Sequence, residues 1–232
     1  MTTLQPTRLD LSSQVERLAA LPRRAESPRP ERDPADVALS LTLARSGSWT
    51  TRTIPSRFVH AELSDFDSEG AQTADRLRDW AQNPRGRNLV LFGAVGCGKT
   101  HCAVAACRPA HFERYQDVVF RPVVELLDEL RHFDEARAAM SNLVEADVLL
   151  LDDIGGERPT DWTAERLFAV INRRWLDERP IVATTNLPPT ARSAPEGYSG
   201  LTLDEFLGER AFDRLMGNGA VPVRLSGQSR RR

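Results

Sequence analysis

Apolar residues run without interruption at Leu89, Val90, Leu91 and Phe92, and again at Val148, Leu149, Leu150 and Leu151. Short runs with no polar alternation fit strands covered on both faces. The first is followed by a glycine-rich turn, the second by two acids. Further strands are expected at 117–121, 180–185 and 221–225. Between them the apolar residues return at helical spacing. Ala74, Leu77, Trp80 and Ala81 face inward in a helix over 70–82. Val124, Leu126, Leu127 and Leu130 do so in a helix begun by Pro122, and a further helical piece covers 134–145. Thr160 and Asp161 open a helix whose core positions are Ala164, Leu167, Phe168, Ile171 and Trp175. A helix from Thr100 breaks at Pro109. Another, over 201–216, kinks near Gly208 and takes Gly217 as its C′ residue. Residues 54–66 pack along the domain edge. Strands alternating with helices predict an α/β domain with a parallel sheet sandwiched by helices.

Residues 1–53 have a different character. Two short helices fit, over 10–20 and 35–45, with a Pro/Arg/Glu linker between them. They make no sizeable core of their own. The segment is either a poorly ordered tail or a small helical docking segment that folds on a partner. The expected division is therefore 1–53 and 54–232.

Composition narrows the classes. The chain has 232 residues and a net charge of −2, which gives no global pull toward nucleic acid or membrane. No apolar run approaches the roughly 20 residues of a membrane span. The start lacks the layout of a signal peptide. Cys97, Cys102 and Cys107 are too few and wrongly spaced for a disulfide framework or zinc site. A cytoplasmic protein is expected, in a bacterium or, if phage-encoded, in the host cytoplasm.

The candidate chemistry starts after the first strand. Gly93, Gly98, Lys99 and Thr100 fit G-x-x-x-x-G-K-[ST], the P-loop. Glycines let backbone amides curl around phosphate oxygens, and the helix start adds the positive end of its dipole. Gly96 and Cys97 complete the loop. Lys99 brings an ammonium to the β and γ phosphates of ATP, and the Thr100 hydroxyl is placed for Mg²⁺. Lys99 is the only lysine in the chain, against 30 arginines. A planar guanidinium does not fit where a point charge does.

Asp152 ends the apolar strand 147–152, where such a site needs its metal-holding carboxylate, and Asp153 follows as a candidate base for the attacking water. Asn186, at the end of the 180–185 strand, is either a turn asparagine or a ligand of the γ-phosphate or its water. Arg210 and Arg214 lie four apart on one helical face. They are either solvated arginines or a finger reaching a neighbouring subunit's ATP. Arg230, Arg231 and Arg232 are either a frayed basic end or carry one arginine that folds back on the phosphate.

Together GAVGCGKTH, LLLDDIGGERPTDW, ERLFAVINRRW, ATTNL, GERAFDRLMGN and GQSRR resemble the DnaC/DnaI-type helicase loaders and IstB-type transposition ATPases, a branch of the AAA+ superfamily. The resemblance covers residue 54 onward. It implies a P-loop NTPase of the AAA+/ASCE kind, with five parallel strands and a short C-terminal extension instead of a full lid domain. It makes Lys99 and Thr100 Walker A, Asp152 and Asp153 Walker B, Asn186 sensor 1, Arg214 an arginine finger supported by Arg210, and Arg231 sensor 2. Asp153 stands where most AAA+ proteins have glutamate, so slow ATP hydrolysis is expected. The implied role is an ATP-dependent helicase loader in DNA replication. It would be a homo-oligomer that binds the replicative hexameric DNA helicase through 1–53 and contacts single-stranded DNA through the 123–145 region. The alternatives are an IstB-type transposition helper and a nucleotide-gated adaptor with little hydrolysis.

Overall fold

Five short runs pair side by side, all parallel, in a computed structural model that describes residues 49, 54–65, 71–114, 116–131, 133–217 and 219–226 (backbone alone at 71 and 133–135). The strands are β1 (Leu89–Gly93), β2 (Val118–Pro122), β3 (Val148–Ile154), β4 (Ile181–Thr185) and β5 (Val221–Leu225). Their order is β2-β3-β4-β1-β5. The helices are α1 (Ala71–Gln82), α2 (Lys99–Phe112), α3 (Val123–Glu129), α4 (Phe133–Glu145), α5 (Asp161–Leu176), α6 (Leu203–Leu207) and α7 (Glu209–Met216). All belong to one compact unit, Leu41–Arg232. The two short helices expected before residue 46, and Arg230 to Arg232, lie outside the described residues.

The unbroken apolar runs follow from two covered faces. Leu89, Leu91, Leu150 and Val182 point to one side, where α1, α2, Trp49, Ile54 and Val59 close over them. Val90, Leu149, Leu151 and Ala183 point to the other side, against α3 to α7. Alternate side chains of one strand thus enter different cores, and neither set tolerates a polar residue.

Four local expectations need correction. Helix α2 does not break at Pro109 but runs to Phe112. The amide of Glu113 still bonds the Pro109 carbonyl at 3.0 Å, and buried Ala106, Cys107 and Ala110 hold the last turn in place. In α5 the core face is Thr163, Leu167, Val170, Ile171 and Arg174, whereas Trp175 is 43% exposed. The helical period carries Trp175 past the inward stripe, onto the groove beside α7. Val124 is likewise exposed, and Val123 takes the inward position at the start of α3. Gly217 caps α7 with φ −81°, so left-handed backbone is not its reason. A Cβ there would lie 2.5 Å from the Asp213 carbonyl oxygen, and only glycine leaves room.

Arg174 is fully buried, and the hydrogen-bond partners described for it are backbone carbonyls. Its guanidinium donates to the carbonyls of Leu143 (2.7 Å), Ala146 (2.8 Å), Asp147 (3.3 Å) and Pro180 (2.8 Å). Burial lowers its pKa and nearby Arg179 pushes the same way, while Asp147 and Asp177 pull against them. One cation thereby ties the end of α4 to the entries of β3 and β4.

Candidate functional site

The C-terminal ends of β1, β4 and β3 converge, because β4 inserts between the other two. Strand β1 delivers the chain into the loop. Gly93 sits so close to β5 that a Cβ would lie 2.2 Å from the Leu225 carbonyl oxygen. Gly98 caps α2 at φ 94°, a left-handed position that suits a residue without Cβ.

Lys99 is buried. Its ammonium donates to the carbonyls of Gly93 (3.0 Å) and Ala94 (2.8 Å) and to Asn186 Oδ1 (2.8 Å). The amide of Asn186 donates in turn to Asp153 Oδ1 at 2.8 Å. Thr100 donates its hydroxyl to Asp152 Oδ1 at 2.9 Å. Lysine, asparagine and both acids are therefore joined around one recess of about 450 Å³. Burial raises the Asp152 carboxyl above the usual aspartate range. Hydrogen bonds from Thr184 and Thr100 oppose that rise, Asp153 adds to it, and Lys99 pulls against it. Cys97, inside the loop, is buried with its Sγ 3.9 Å from the Lys99 ammonium. Cys102 and Cys107 are buried free thiols packed along α2.

The acids reach this position through a break in the β3–β4 ladder. Leu151 pairs with Ala183 and Ile154 with Thr185, so Asp152 and Asp153 together oppose the single residue Thr184. Such a bulge re-aims side chains. Asp153 accommodates the extra residue at φ 62°, a left-handed conformation that costs a non-glycine residue about 1–2 kcal/mol.

The oxygen pair Thr100 and Asp152 fits Mg²⁺. Both donors are hard, and two are too few for a protein-only cage. That matches a cation taking its remaining ligands from phosphate and water. Among the described residues no cluster of three or more His, Cys, Asp or Glu forms a separate metal site.

Arg210 and Arg214 do not join this recess. Both lie over the Phe168 ring, at 4.5 and 5.1 Å, and Arg214 also lies 5.3 Å from Trp175. With Glu209 and Asp213 they line a second recess of about 400 Å³. Residues unforeseen in the sequence complete the first recess. Thr184 reaches it through the bulge, and Arg57 and Phe58 wall it from the segment before the sheet, beside His101. His101 meets Asp65 at 2.7 Å. Its place directly after Thr100 was the one signal for it in the sequence.

A parallel sheet in this order, with a glycine-rich loop opening a helix beside two strand-end acids, defines a P-loop NTPase of the AAA+ type. The profile of the IstB-like ATP binding protein family matches residues 50–232, and the chain belongs to that family. It is 32% identical to phage-like element PBSX protein XkdC of Bacillus subtilis over 61% of this chain and 53% of XkdC. It is 28% identical to the replicative helicase loader DnaI of the same organism, over 68% of this chain and 51% of DnaI. To the insertion-sequence ATP-binding protein Rv3427c of Mycobacterium tuberculosis it is 30% identical, over 80% of this chain and 74% of that protein. The chain thus spans about half the length of the first two relatives. The crystal structure of DnaI superposes with a TM-score of 0.61 at 23% identity, over 77% of this chain and 94% of that one, which establishes the shared fold.

Proposed function

We propose that this protein is a slow ATPase that loads the replicative DNA helicase onto single-stranded DNA. The observation that carries the ATPase reading is the Lys99–Asn186–Asp153 chain of hydrogen bonds, 2.8 Å at each step. It joins the phosphate-binding ammonium to the carboxylate beside it. The loop amides and Lys99 hold the triphosphate. Thr100 and Asp152 would hold Mg²⁺, which would neutralise phosphate charge when bound. Asp153 orients the attacking water and takes its proton, and Asn186 fixes the angle of that carboxylate. Asp153 is one methylene shorter than glutamate, so the water is held less closely and turnover is slow without a partner. Arg214, supported by Arg210, acts on the ATP of a neighbouring copy in an oligomer. This protein works in the bacterial cytoplasm, or in the host's if a phage encodes it.

The loader role is supported by the likeness to DnaI. Residues 1–53 would grip the helicase, and the 123–145 region would meet single-stranded DNA. A second reading, a transposition helper, is favoured by Rv3427c, the relative that matches over the largest shares of both chains among those compared above. Co-purification of the full chain from its host, with ATP and Mg²⁺ present, decides between them. Capture of the hexameric helicase, lost when residues 1–40 are removed and the compact unit from Leu41 is kept, supports loading. Capture of a transposase without helicase refutes it. Lys99→Ala removes nucleotide binding under either role. Retained ATP affinity in that variant would refute the site itself.

A further inference from the structure

We infer that Thr184 is a positioning residue that orients both acids of the site through one hydroxyl. The inference rests on the ATPase reading above. Thr184 is 1% exposed in β4 and stands opposite the bulge that holds Asp152 and Asp153. Its Oγ1 accepts the Asp153 backbone N–H at 2.8 Å and donates to Asp152 Oδ1 at 2.7 Å. The proton order is fixed. An amide can only donate, so the single hydroxyl proton of Thr184 is left for Asp152.

Two consequences follow. The Asp153 amide, released from the ladder by the bulge, gains an acceptor that holds this left-handed residue in place. Asp152 meets a fixed donor on a rigid strand, so its carboxylate is held in one rotation. Thr100 also donates to Asp152 but is itself a candidate cation ligand, so its hydroxyl is not free to perform that task. Valine has nearly the same shape as threonine and lacks the hydroxyl. The neighbouring Thr185 provides a control: its hydroxyl donates to the Ile154 carbonyl (2.7 Å) and accepts from the Leu187 amide (3.0 Å) at the same bulge, so its hydrogen bonds go to neither acid.

The test uses the full chain with a fluorescent ATP analogue, titrated with Mg²⁺ and compared in EDTA. Thr184→Val is expected to raise the Mg²⁺ concentration for half-maximal tightening on the order of 10- to 100-fold, as loss of a residue supporting a metal ligand does. Affinity in EDTA stays at the parent value, Thr184→Ser restores the Mg²⁺ response, and Thr185→Val keeps it. The inference is overturned if Thr184→Val keeps the parent's Mg²⁺ response. It is equally overturned if Thr185→Val shifts that response as much, or if Thr184→Ser fails to restore it. Should Thr184→Val not fold, Thr184→Ala carries the same comparison. A parent chain that binds no nucleotide under any condition sinks the ATPase reading first and this inference with it.

Discussion

Replacing Arg174 by methionine should unfold this protein earlier although it touches nothing in the nucleotide recess. The guanidinium serves four carbonyls. After substitution Pro180 keeps the Leu149 amide at 3.3 Å, and Ala146 keeps Arg179 at 3.1 Å. The carbonyls of Leu143 and Asp147 lose the donor that Arg174 gave them. The orphaned Leu143 carbonyl is buried and costs about 1–3 kcal/mol, and the partly buried Asp147 carbonyl costs less. Part of that is returned, because burying a guanidinium was itself unfavourable, a cost that Asp147 and Asp177 offset only in part. A net loss of roughly 1–3 kcal/mol remains, which for a domain of this size lowers Tm by about 2–12 °C.

The assay is urea and thermal denaturation of Arg174→Met and Arg174→Lys beside the parent. Lysine retains the charge but not the planar fork that spreads over several acceptors, so it should recover only part of the loss. A methionine variant as stable as the parent, or more stable, refutes the reasoning. It would mean that relief of the buried charge outweighs the orphaned carbonyls, an outcome known for other buried ions.

Two further outcomes follow from the site. Asn186→Ala should lower kcat for ATP hydrolysis on the order of 10²- to 10³-fold, the usual cost of deleting one positioned polar group, with nucleotide affinity kept; steady-state kinetics with a binding titration check both. Glu157 has its pKa raised, by burial first, while its own and Gly155's amides oppose and Asp153 adds to the rise. Its ionised form therefore costs stability in the fold. Glu157→Gln should raise Tm at neutral pH, and the gain should shrink as pH falls through the raised value and vanish below the ordinary 4.5; melting curves across pH check the sign.

The hydrophobic pattern made the architecture readable. Two runs such as Leu89–Phe92 and Val148–Leu151 without polar breaks required two covered faces, and both cores exist. The P-loop was legible because its glycines and its sole lysine are dictated by local backbone and charge. Asn186 reads from its spacing equally as a turn asparagine or a phosphate ligand, and it is the central place of β4 in the sheet that sets it between the loop and the acids. Trp175 was misplaced because periodicity reports a stripe, not its edge.

Register between strands is what periodicity does not carry, and the site depends on it. Two acids face one threonine only because the β3–β4 pairing slips between Leu151 and Ile154. Nothing local in Leu-Asp-Asp-Ile requires that slip. The left-handed backbone of Asp153 even disfavours it, and contacts from other strands must hold it. At the far end of the same two strands Arg174 pins the carbonyls of Asp147 and Pro180. Its own sequence context, a polar residue in a helix rich in arginine, reads as surface. Loss of Arg174 should therefore weaken more than global stability. If it lets β3 shift against β4, Thr184 no longer spans both acids, and Arg174→Met should blunt the Mg²⁺ response at temperatures where the variant is still folded. An unaltered Mg²⁺ response in folded Arg174→Met would show that the bulge holds itself, without help from the entry end of the strands.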